Sequence, residues 1–401
     1  MVLTVYSAAD LLVAPGCPVC RYVAEASDRY LRWFALEGHA RADVISTFCA
    51  SLGPCARHAR LLMRQPGAAI RLTMVYRYAV AAAGDALTGR AGPAVPCPGC
   101  AHEAAATARA VETLADGLND GTASHRYREL GGVCLTHFAP VSARTRASAT
   151  DWVCGTLQEA IDRSLGQPEW LAGSDPDTGV RRVLRQELPA AGADGSGACH
   201  ICLAGARAER DVLARSADGT RYPDAAALPS PACGAHLADL AAGAADMLVP
   251  LRVQATALRA GLPSDSGSRS RIIALVRRGR RLRSGSCPVC AARQLARQVA
   301  AGEILTGLRA PDASHLPLLC ARDLLTVRRQ AGSAADGLMG SAAAVAASLV
   351  RDLTLEFEAT TWTRRSTGTQ ATEPAAFRRA AVFLDGEVYG GCPPRPWAPG
   401  C

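Results

Sequence analysis

The chain has 401 residues, room for two to four compact units, and its 49% hydrophobic but only 5% aromatic composition points to an aliphatic, helical core. It contains no lysine, so all 44 basic residues are arginine; this excludes Schiff-base chemistry, a phosphate-loop lysine and a Ser-Lys dyad. A formal charge of +8 is a small excess for this length and gives little support to nucleic-acid binding.

Residues 1–16 carry no basic leader and no long apolar core, so they make a poor signal peptide. No run approaches the ~20 apolar residues of a membrane-crossing helix. Sixteen cysteines without an export signal are better explained by metal than by disulfides, and they suit a reducing, cytoplasmic setting.

The first helix is expected to open at Cys17-Pro18-Val19-Cys20. Val19, Val23, Ala26, Tyr30, Trp33 and Phe34 follow the spacing of one buried helical face. Pro18 fits a first turn, where its missing N–H costs nothing. Gly38 is expected to stop this helix, and a loop containing Gly53 and Pro54 follows. Cys55-Ala56-Arg57-His58 then begins a second helix, with Cys and His one turn apart and aimed the same way. After Pro66 and Gly67 a third helix spans about 69–83, with Leu72, Val75, Tyr76, Ala79 and Val80 inward.

Gly84 to Pro96 reads as a linker, and the plan then repeats. Cys97-Pro98-Gly99-Cys100 leads into an Ala-rich helix to about Leu118. Asn119-Asp120-Gly121 is a turn, a short helix follows near 124–130, and Gly131-Gly132 precedes Cys134-Leu135-Thr136-His137. A helix over 151–165 places Val153, Leu157, Ile161 and Leu165 on one face, with Cys154 on its apolar side. Residues 172–198, with Asp175, Asp177 and one short helix at 180–188, form the clearest linker.

The third copy runs from Cys199-His200-Ile201-Cys202 to Cys233-Gly234-Ala235-His236 and a helix over about 237–260. A break at 261–268 and a basic amphipathic helix at 270–282, rich in arginine from Arg271 to Arg283, lead to the fourth copy. That copy has Cys287-Pro288-Val289-Cys290 and Cys320, but Asp323 stands where the histidine belongs. Asp323 as a carboxylate ligand, His315 folding over, and a metal-free copy all remain open. A long helix over about 334–361 closes the unit, and a polar, Pro/Gly-rich tail with Cys392 and Cys401 is expected to be loosely ordered.

The expected organisation is therefore all-α: zinc-helical units at 1–90, 91–171, 199–262 and 284–363, linkers at 172–198 and 263–283, and a tail at 364–401. Each unit is expected to build its own tetrahedral Zn2+ site from a Cys-x-x-Cys turn and a Cys-x-x-His turn at two helix starts. The sets are Cys17, Cys20, Cys55 and His58; Cys97, Cys100, Cys134 and His137; Cys199, Cys202, Cys233 and His236; and Cys287, Cys290, Cys320 and Asp323. Helix N-termini favour thiolates and are capped by them. Twelve thiolates on four Zn2+ would take four from the formal charge and leave about +4. Buried metal-free thiols, dithiol exchange at Cys-Pro-x-Cys and iron–sulfur ligation are the competing readings. Dithiol exchange loses ground because it needs no distant Cys-x-x-His.

The run from Cys17 to Leu31, with Cys55-Ala56-Arg57-His58 after it, resembles a bacterial family with repeated Cys-Pro-x-Cys and Cys-x-x-His motifs, known as a domain of unknown function. The resemblance is best in the first unit. It implies a helical metal-binding protein and no particular activity. The family places Phe-Cys where this chain has Gly53-Pro54-Cys55, and Phe48-Cys49 lies six residues earlier. Cys49 and Cys55 thus compete as ligand, and the Cys55/His58 spacing favours Cys55.

His102-Glu103 lacks the second histidine of a zinc-protease motif and reads as a surface pair. No Ser-His-Asp grouping, glycine-rich phosphate loop or paired-carboxylate motif stands out. The expected function is a non-enzymatic, zinc-binding scaffold for protein partners. The alternatives are a nucleic-acid-associated regulator using the Arg271–Arg283 segment and a dithiol redox protein.

Overall fold

The structure, a computed structural model, describes residues 7–63, 65, 67–90, 95–164, 199–217, 288–308, 319–367 and 375–385. The basic segment at 270–282 and the linker at 172–198 lie outside these residues. All regular structure among the described residues is helical.

The first half comprises α1 (Ala8–Leu11), α2 (Pro18–Leu36), α3 (Ala42–Ala50), α4 (Ala56–Met63), α5 (Ala68–Leu87), α6 (Pro98–Asn119), α7 (Ser124–Glu129), α8 (Leu135–Ser142) and α9 (Ala147–Ser164). Further on come α10 (His200–Ala217), α11 (Pro288–Leu308), α12 (Ala321–Ala331), α13 (Asp336–Thr367) and α14 (Ala375–Asp385). The helices that open the cysteine motifs start where the sequence places them, with Cys17 and Cys97 as N-caps and proline in the first turn.

Two stretches differ from expectation. The residues after Gly38 are not a loop: α3 buries Phe48 and rests Val44 on the same core. The tail is not all loose: α14 buries Phe377, Ala380 and Leu384 against α5 and α12. Both are short amphipathic segments flanked by glycine or polar residues, so their periodicity is weak against that background.

The long helices pack as pairs. The C-terminal half of α2 lies against the first turns of α6, where Tyr30 stacks on His102 with ring centroids 4.6 Å apart. The close approach of α1 to α6 depends on Gly117, where a Cβ would sit 2.4 Å from that of Ala8. α10 packs along α11, and α5 along α13. One core unites α1, α6, α7 and α8 with the first half of α2. The other joins the end of α2 with α3, α4, α5 and α10 to α14. Few as they are, the aromatics concentrate in this second core: Phe34 stacks on Phe48 at 5.2 Å, Phe48 meets Tyr76 edge-on at 5.6 Å, and Tyr76 meets Phe377 at 4.5 Å.

Two arginines of α12 bind the distant halves of the sequence together. Arg322 donates to the carbonyls of Ser51 and Gly53 at 2.8 and 2.9 Å. Arg328 donates to the Leu87 carbonyl at the end of α5, where the helix dipole is negative. The stretch Ala321–Ala359 is apolar and long enough to cross a membrane by length and composition alone. It is nonetheless interrupted by Gly332, at φ 58°, and one face of it lines the second core.

Candidate metal centres

Among the described residues three groups of four donors meet, the ligand atoms of each group lying within 4.8 Å of one another. They are not the groups that the repeats suggest. Cys17 and Cys20 meet Cys134 and His137; Cys97 and Cys100 meet Cys55 and His58; Cys199 and Cys202 meet Cys320 and Asp323. The expectation that each unit closes its own site is corrected: residues 1–90 and 91–171 trade their Cys-x-x-His turns. The cause is helix length. The 19 residues of α2 rise about 1.5 Å each, which carries the chain roughly 28 Å from Cys17 before it turns. The Cys55/His58 turn therefore forms beside the far end of α2, where the start of α6 presents Cys97 and Cys100.

The spacing of the two histidine-containing groups matches a tetrahedral metal site, and the third group is tighter. A tetrahedral ion with Zn–S ~2.3 Å and Zn–N ~2.0 Å has S···S edges of about 3.8 Å and S···N edges of about 3.5 Å. In the first centre the Nδ1 of His137 lies 3.5, 3.3 and 3.3 Å from the sulfurs of Cys17, Cys20 and Cys134, and Cys20 is 3.5 Å from Cys134. In the second, the Nδ1 of His58 lies 3.3, 3.5 and 3.5 Å from Cys55, Cys97 and Cys100, and Cys55 is 3.7 Å from Cys100. In the third, the Oδ2 of Asp323 lies 3.1, 3.1 and 3.5 Å from Cys199, Cys202 and Cys320. Cys55, not Cys49, is the donor; Cys49 sits half-buried on α3. Cys154 is half-buried against the first core.

Most of these thiols are buried, with Cys20 and Cys100 half-buried, and they face one another and the fourth donor. Hydrogen bonds from Cys202 and Cys320 pull Cys199 down to about 5. Hydrogen bonds with Cys100 and Cys97 push Cys55 well above the usual range, those with Cys199 and Cys202 do the same to Cys320, and burial adds to both. Several thiolates crowded into a buried site repel one another, and a dication among them removes that repulsion.

The second centre has an outer layer that sequence reasoning missed. His58 is fully buried, and its Nε2 donates to Glu103 at 3.1 Å, which fixes the tautomer that leaves Nδ1 free to ligate. Arg57 pairs with the same carboxylate. Burial alone would raise the Glu103 carboxyl, but His58 and Arg57 outweigh it and hold it at about 2. Glu103 is thus not a surface residue. Its one legible signal is its place three residues after Cys100, on the ligand face of α6. Gly99 is part of the same fit, because a Cβ there would come within 2.6 Å of the His58 ring. Glu103→Ala is expected to weaken metal binding at this centre by ~10–100-fold in a chelator competition, with the Cys17 centre unchanged.

Cys290 is described and half-buried in the first turn of α11. Cys233, His236, Cys287, His315, Cys392 and Cys401 lie outside the described residues. Asp323, expected beside Cys287 and Cys290, belongs with Cys199 and Cys202.

The fold and centres together define a helical protein in which distant motif turns meet in Cys3His and Cys3Asp donor sets able to hold metal ions. No family model matches the chain, and no curated protein or solved structure matches it either.

Proposed function

We propose that the three centres hold structural Zn2+ and that the protein is a non-enzymatic helical scaffold for protein partners. The observation that carries this is closure: each centre has four buried or nearly buried protein donors within 4.8 Å of one another, contributed by two distant motif turns. A site with no open position builds structure rather than activating water or substrate. Ala-rich helices bury little area per residue, so metal at the helix starts replaces core that the composition does not supply. Dependence on reduced thiols supports a cytoplasmic location. The resemblance to a metal-binding bacterial domain of unknown function belongs to the same proposal.

Nucleic-acid binding has little support among the described residues. Arg57, Arg297, Arg322 and Arg328 are all engaged with partners inside the fold. Dithiol exchange is disfavoured because every Cys-x-x-Cys pair of the three centres is shielded by a second donor pair.

Elemental analysis of protein purified without added metal should find at least three zinc ions per chain. A fourth would report the same exchange in the remaining motifs, Cys287 and Cys290 with Cys233 and His236. Fully folded protein devoid of metal would end this reading.

A further inference from the structure

The third centre has an aspartate where the other two have histidine, and an arginine, Arg297, that reaches both that carboxylate and a ligand sulfur. The Asp323 side chain divides its oxygens: Oδ2 faces the three sulfurs, while Oδ1 accepts from Arg297 at 2.8 Å. The other terminal nitrogen of Arg297 lies 3.4 Å from the Cys202 sulfur. The stem of Arg297 reaches this place across Gly205 of α10, where a Cβ would sit 2.8 Å from the arginine Cγ. The guanidinium is therefore seated by the packing of α10 on α11.

Charge explains why it is needed. Three thiolates and a neutral imidazole on a dication leave one net negative charge. Three thiolates and a carboxylate leave two, in a buried site, unless a permanent cation stands beside them. Arginine never loses its proton and forks naturally onto a carboxylate. A free carboxylate can also offer both oxygens to one ion, which breaks four-coordination; an oxygen already accepting from Arg297 is withdrawn from that role.

We propose that Arg297 is a positioning residue that makes Asp323 a single-oxygen ligand and restores the charge of the Cys3His centres, so that aspartate fills the histidine position. This rests on the metal reading above and extends it to the third centre. The centre is thus a Cys3Asp site for a tetrahedral, thiolate-preferring dication.

The test uses the full chain loaded with Co2+, whose visible d–d bands are intense when tetrahedral and weak at higher coordination. R297Q is expected to keep its helicity, lose ~10–100-fold in affinity at this centre by chelator competition, and lose the third centre's share of d–d intensity. R297K, which keeps the charge without the fork, should fall between. In a D323H background, where the fourth ligand is neutral, R297Q should change neither affinity nor spectrum. Equal losses in both backgrounds would make Arg297 a packing residue and overturn the proposal, as would an unchanged R297Q. If R297Q does not fold alone but D323H/R297Q does, the charge argument stands; if neither folds, Arg297 is structural and the proposal fails. Wild-type protein that binds no cobalt at all overturns the metal reading instead.

Discussion

Cys134→Ala is expected to release Cys17 and Cys20, not Cys97 and Cys100. In the structure Cys134 completes the centre that α2 opens, 114 residues away from Cys20 in sequence. Loss of a donor lets water enter and the ion leave, and two further thiols then react. Under alkylation with peptide mapping, Cys17 and Cys20 should label rapidly while Cys55, Cys97 and Cys100 stay protected. Native mass spectrometry should count one metal fewer. If the repeats closed their own sites, the labelled pair would be Cys97 and Cys100, so one experiment separates the two pairings. The energetic effect should be large. Structural zinc contributes roughly 10 kcal/mol or more in small zinc peptides. Even half of that is comparable with the whole stability of a typical domain, about 5–15 kcal/mol. Unfolding should start at α1, α7 and α8, which are short and depend on that centre and the core around it.

Phe377→Ala should cost about 3–5 kcal/mol, the usual range for emptying a buried phenylalanine site. The side chain is fully buried, and its ring lies 4.5 Å from that of Tyr76. Tyr76 leads through Phe48 to Phe34, so the cavity opens at the end of the main aromatic row. The substitution should shift the denaturant midpoint strongly without changing the metal count. Arg379→Ala on the same helix is the control. Its pair with Asp352, 3.0 Å apart, is 57% and 39% exposed, and such a pair contributes at most about 1 kcal/mol. Equal effects of the two substitutions would mean that α14 does not pack as described.

The helices themselves were legible because their causes are local. Val19, Ala26 and Phe34 recur at helical spacing; Pro18 and Pro98 mark first turns; α6 ends within a residue of the expected position. The residues of the three described groups were legible because a tetrahedral thiolate site needs two-residue gaps on one turn. Asp323 as a donor was among the open readings, and the structure places its oxygen among three sulfurs. α3 and α14 were not legible, since each is held by contact with α5 rather than by its own pattern. Glu103 and Arg297 were hidden for a similar reason. A carboxylate beside a histidine or an arginine on a basic helix reads as solvated surface until the facing element is known.

The pairing of the motifs is where sequence and structure part. Near-equal spacing within every repeat holds whether a Cys-x-x-His turn closes on its own repeat or on the next, so spacing cannot distinguish them. The sequence by itself determined the helical class and marked the paired turns that meet in the three described groups, because these depend on residues within one or two turns. Only the tertiary structure decided which pairs meet. The helices of 19 and 22 residues that follow Cys17/Cys20 and Cys97/Cys100 carry those pairs far from their own repeats' histidine turns, and their packing brings the other repeat's turn into place.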